Sequence, residues 1–114
     1  MIKKKVNNEE LLKYEDITKD FGILNFKPNE QQKKKIRYNN PDDEDKIFEI
    51  ESTDDDTINV RNKELSIESK NGEFIRLLFN APKTLGTHTV SVIVKNKKNK
   101  EVEEVLRFQI QVNE

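Results

Sequence analysis

The sequence has no cysteine, a single histidine, three glycines, three prolines and no long apolar run. Each shortage closes off a class of function. Without cysteine there is no disulfide and no thiolate metal site, and a reducing compartment is allowed. The lone His88 leaves a nucleophilic triad only one candidate base. Its neighbours Thr87 and Thr89 would point to the opposite face of a strand, so sequence adjacency gives no base–hydroxyl pair. His88 is therefore expected at a rim or in solvent, and no catalytic residue is expected. Gly22, Gly72 and Gly86 stand apart, so no glycine-rich loop is available to cradle phosphate. No segment is long enough to span a membrane as a helix. Met1 to Val6 starts like a signal n-region, but Asn7-Asn8-Glu9-Glu10 follows where an apolar core would have to stand. The 21 basic and 22 acidic residues nearly cancel, which leaves no basic excess for nucleic acid and no pull toward an anionic membrane.

What is present is alternation. Apolar residues make up 32% of the chain and charged residues 38%, a mixture close to that of disordered proteins. The apolar residues, however, recur with a period of two, which buries one face of a strand and wets the other. Leu106, Phe108, Ile110 and Val112 alternate with Arg107, Gln109 and Gln111. Val90-Val92-Val94, Ile75-Leu77-Phe79, Ile36-Tyr38 and Phe48-Ile50 repeat the pattern. The six residues Phe48, Ile50, Phe79, Val92, Phe108 and Ile110 are expected to share one core, and the six phenylalanines fall mostly on inward phases.

Strands are predicted at 21–26, 34–39, 46–52, 57–61, 65–68, 73–80, 87–95 and 101–112. Turn signals separate them every 8–12 residues or so, the spacing of an all-β, immunoglobulin-like β-sandwich of seven to eight strands. Asn71-Gly72 is the strongest hairpin signal. Residues 1–20 form a lead-in, read as a short N-terminal helix or turn with Asn7 and Glu10 as a capping box and Gly22 as its stop. Residues 21–114 form the sandwich. The acidic turns Asp42 to Asp45 and Asp54 to Asp56 lack the glycine and spacing of a calcium loop. A weak cation site would need both turns at one end of the sandwich. No metal and no cofactor is expected.

From Lys35 to Val112 the chain resembles the major-sperm-protein-like immunoglobulin fold. Ile36 to Pro41 is similar to that family's strand ending in Asn-Pro. Phe48 to Thr53, Leu65-Ser66-Ile67, Phe74 to Pro82 and Gly86 follow in the family's order. Ile75 to Pro82, then Val92 to Asn96, then Glu103-Glu104 before Phe108, resemble most closely the immunoglobulin-like domains of nephrocystin-4, a ciliary transition-zone scaffold. The resemblance implies a non-catalytic protein–protein interaction or scaffold domain in the cytoplasm, at the cilium basal body, transition zone or centrosome. Its implied partners are transition-zone proteins, with no nucleic acid and no direct membrane contact. Members that tether membranes bind acidic (FFAT-type) peptides through lysines on the strand matching Phe48 to Thr53. This chain has Glu49 and Glu51 there, and like charge repels such a peptide.

Two edge strands are expected to accept a partner by strand addition, one carrying Lys34, Ile36 and Tyr38, the other Arg107, Gln109 and Gln111. Pro82 is expected to blunt a sheet edge, and the Asn40–Pro41 bond is a candidate cis peptide. A surface-exposed adhesin or spacer module is the alternative function. A hydrolase on a β scaffold is a third, disfavoured by the single histidine.

Overall fold

The computed structural model describes residues 10–114. The chain runs through a 3-10 helical segment, Glu10–Ile17, and eight strands: β1 (Thr18–Phe26), β2 (Gln31–Asn39), β3 (Lys46–Ser52), β4 (Ile58–Val60), β5 (Glu64–Ile67), β6 (Gly72–Asn80), β7 (Gly86–Asn96) and β8 (Val102–Val112). Five form one sheet in the order β1-β8-β7-β3-β5, and three form a second in the order β2-β6-β4. The inward phases of both sheets meet in one core that includes all six residues expected there. Phe108 is its centre: it stacks on Phe21 at 4.7 Å and meets Phe79 edge-on at 5.3 Å. Such offset and edge-to-face pairs suit the ring quadrupole.

Several local expectations are corrected. Asn7, its capping box and residues 1–6 lie outside the described residues. The helical segment stops at Ile17, five residues before Gly22, and kinks at Tyr14 (φ −106°, ψ 18°). β1 then starts at Thr18 and pairs in parallel with β8, with a bulge between Asp20 and Ile23 where Gly22 takes φ 76°. Asn71-Gly72 is not a hairpin turn, because β5 pairs with β3 while β6 pairs with β2 and β4 in the other sheet. The left-handed residue is Lys70 (φ 62°). Ser69 N–H donates to Asp45 Oδ1 (2.8 Å) and Lys70 Nζ to the Pro41 carbonyl (2.6 Å), tying this crossover to the 40–45 loop. The Asn40–Pro41 bond is trans. Pro82 follows β6, the middle strand of its sheet, so it guards no edge.

The outer side of the five-stranded sheet is partly covered. Leu11 of the helical segment packs on Ile93 and Val105, flanked by Tyr14 and Val102. Arg107 fastens this cover with ion pairs to Glu15 (2.8 Å) and Asp20 (3.3 Å). Elsewhere on that sheet Glu49 pairs with Lys100 (2.5 Å), Glu51 with Lys95 (3.2 Å) and Glu64 with Lys97 (2.9 Å). The Lys100 hydrogen bond holds the Glu49 carboxyl below its usual range.

Candidate protein-interaction surface

An edge strand leaves about half of its backbone N–H and C=O groups unpaired, and most sheets shield them. Here β4 has three residues and β5 four, too short to template much. β1 is broken by its bulge, which twists an edge away from pairing. Beyond β4, Asn62 occupies the same side of β6: its Nδ2 donates to the Phe74 carbonyl and its Oδ1 accepts from Arg76 N–H, both at 2.8 Å. β2 differs. Nine residues pair with β6 in unbroken register, and no described strand lies on the other side.

The two predicted edges therefore fare differently. Lys34, Ile36 and Tyr38 do sit on an edge strand. They take its inward phase: Ile36 and Tyr38 pack against the core, with Tyr38 edge-on to Phe48 at 5.2 Å, while Lys34 is exposed. Burial, reinforced by Glu104 and Glu103, pushes the Tyr38 hydroxyl well above its ordinary pKa. Arg107, Gln109 and Gln111 do not sit on an edge. β8 is paired on both sides, by β7 and by β1, with Asp20 beside Arg107, Ile23 beside Gln109 and Asn25 beside Gln111. Arg107 is occupied by its two carboxylates, and Gln111 by Thr87 and Asn113.

Period-two reading overlooked the other phase of β2. Lys33, Lys35 and Arg37 point outward, beside Leu78, Arg76 and Phe74 of β6, with Asn59 and Arg61 beyond on β4 and its extension. No carboxylate occupies an outward position on these three strands, and none of the five cations lies within ion-pair distance of a described carboxylate. Lys33, Lys35, Arg61, Arg76 and Leu78 line a shallow hollow of about 450 Å³. Lys35 and Arg37 also lie over the Phe74 ring, at 4.6 and 5.7 Å from its centroid. Gly72 makes room for this: a Cβ there would meet the Arg37 guanidinium at 2.9 Å. The signal available in the sequence was Lys33-Lys34-Lys35. Its partners Arg61 and Arg76 are more than twenty residues away and need the topology to join it.

The remaining candidates are structural. The His88 ring Nε2 lies 2.9 Å from the Thr84 carbonyl, a tie within its own loop. The acidic turns lie at opposite ends of β3, seven residues apart along a strand and so about 23 Å. Asp42 pairs with Lys46 and Asp43 with Lys70, while Asp54 bonds Thr57 Oγ1 at 2.9 Å. Among the described residues no cluster of metal-ligating side chains occurs, and no helix is long and apolar enough to cross a membrane.

Two facing sheets, with the edge of the larger closed by a parallel first strand, define the class: an immunoglobulin-like sandwich of the kind found in major-sperm-protein and PapD-like domains. Solved structures share it. A Caenorhabditis elegans major-sperm-protein family member, WR4, superposes with a TM-score of 0.54 at 10% identity over 80% of this chain and 92% of its own. PapD-like domain 7 of human CEP192 gives 0.55 at 16% identity over 84% and 80%. A family 123 glycoside hydrolase from Clostridium perfringens gives 0.63 at 9% identity, with this chain covering 23% of it. These likenesses establish the fold alone. No curated protein matches in sequence. The family model for NPH4 Ig-like domain 4 matches residues 18–113, and the chain belongs to that family of nephrocystin-4 immunoglobulin-like domains.

Proposed function

We propose that this chain is a non-catalytic protein-interaction domain of a ciliary or centrosomal scaffold, working in the cytoplasm at the basal body, transition zone or centrosome. The observation that carries the reading is the β2 edge: nine residues in register, unshielded, in a chain of the nephrocystin-4 family. A sheet edge of this length offers main-chain hydrogen bonds to an extended segment and side-chain positions of alternating phase for selectivity. Glu49 and Glu51 argue against acidic-peptide docking on the β3 face, where each is already paired with a lysine.

Proximity labelling in ciliated cells tests it. The tagged chain should enrich transition-zone or centrosomal proteins over a tagged unrelated sandwich. Equal recovery by both would overturn the assignment.

A further inference from the structure

The proposed module has an edge, and the two phases of that edge specify what it accepts. On the outward side of β2 stand Lys33, Lys35 and Arg37, backed by Arg76 and Arg61 on the neighbouring strands. On the inward side stand the half-buried Ile36 and Tyr38, at the mouth of the sandwich. A strand added beside β2 places its own alternate side chains about 4.5–5.5 Å from these, Cβ to Cβ. Its outward positions then face Lys33, Lys35 and Arg37, and its inward positions beside Ile36 and Tyr38 face apolar surface.

We propose that the β2 edge takes up an extended segment of a partner protein in which carboxylates alternate with apolar residues, the carboxylates facing Lys33, Lys35 and Arg37 and the apolar side chains covering Ile36 and Tyr38. This rests on the interaction-module reading and names the partner's chemistry. A second copy of this chain does not fit, because pairing β2 with β2 would set lysines against lysines, and like charges directly opposite destabilise a ladder. Lysines on an edge can serve only to discourage aggregation. That role does not account for Arg76, which lies on β6, the middle strand of the sheet. Nor does it account for the absence of any outward carboxylate on β2, β6 and β4 in a chain that is net negative overall.

The test uses the 114-residue chain, ¹⁵N-labelled. Three probes are added: a blocked nine-residue peptide alternating Glu and Val, its Lys/Val counterpart, and the Glu/Val peptide N-methylated at every second amide. The Glu/Val peptide should shift amide signals of residues 31–39 and bind at least tenfold tighter than the other two. The double variant Lys33→Glu, Lys35→Glu, with an unchanged melting curve, should reverse the preference toward Lys/Val. Equal binding of both charges, shifts centred on β3 or β5, or no loss on N-methylation would overturn the proposal. So would tighter binding of single-stranded oligonucleotide or anionic vesicles than of Glu/Val peptide through the same lysines. If the double variant keeps every partner in proximity labelling, the edge proposal falls and the module reading stands.

Discussion

Replacing Phe108 by leucine weighs the stacked arrangement against a single alternation in the sequence. The ring is fully buried and engages two others, Phe21 at 4.7 Å with 11° between planes and Phe79 at 5.3 Å and 85°. Each such pair contributes about 0.5–1.5 kcal/mol beyond area burial. The near-isosteric swap itself costs under about 1.5 kcal/mol. Phe108→Leu should therefore cost about 2–4 kcal/mol. Phe74 provides the contrast: it is aromatic and also sits mid-strand, but it lies half-exposed on the outer side under Lys35 and Arg37. Exposed cation–π contacts are worth about 0.5–1 kcal/mol each, so losing both in Phe74→Leu should cost about 1–2 kcal/mol. At roughly 4 °C per kcal/mol for a chain of this size, the melting points should fall by about 8–16 °C and about 4–8 °C. Urea titration followed by circular dichroism reads both, and parallel slopes would show that the unfolded states are comparable. Equal losses, or a larger loss at Phe74, would refute the assignment of inner and outer phases.

Other expectations follow from single contacts. Asn40 is buried, with Nδ2 donating to the Glu44 (2.9 Å) and Ile67 (3.1 Å) carbonyls, so Asn40→Asp sets a carboxylate against two acceptors. It should cost about 2–3 kcal/mol in the same titration, more than Asn40→Ala. Leu11→Ala should cost about 2 kcal/mol and open Ile93 and Val105 amides to hydrogen exchange while core amides stay protected. Burial holds the Glu104 carboxyl above its usual value of 4.5, with Lys19 opposing. The folded state then binds protons more tightly, so Glu104 stabilises less as pH rises past that value. Glu104→Gln should raise the melting point at neutral pH, and the gain should vanish as pH falls below 4.5.

The core was legible because burial has the same period as the pleat. Phe108, Ile110 and Val112 could be assigned from alternation alone. Alternation says which face is wet but not which strands are neighbours, so β8 passed for an edge although β1 lies beside it. The polar start of β1, Thr18-Lys19-Asp20, hid the extension. The covering of the outer side left a trace in Val92-Ile93-Val94 and Val105-Leu106, where apolar residues occupy both phases. Leu11, Tyr14 and Ile17 recur every third residue, the period of the 3-10 helix that carries them, and at α-helical spacing they make only a weak stripe. The cationic surface was legible only in its β2 part, since its other members come from strands that sequence distance keeps apart.

The parallel pairing of β1 with β8 has a mechanical side. Thr18 lies beside Val105 and Phe26 beside Val112, so the chain enters at one end of this ladder and leaves at the other. Tension drawn through those two ends slides the strands lengthwise, and every hydrogen bond between them shares the load at once instead of breaking in turn. Until that ladder gives way the other strands carry none of the load, which makes the first strand a seat belt for the rest.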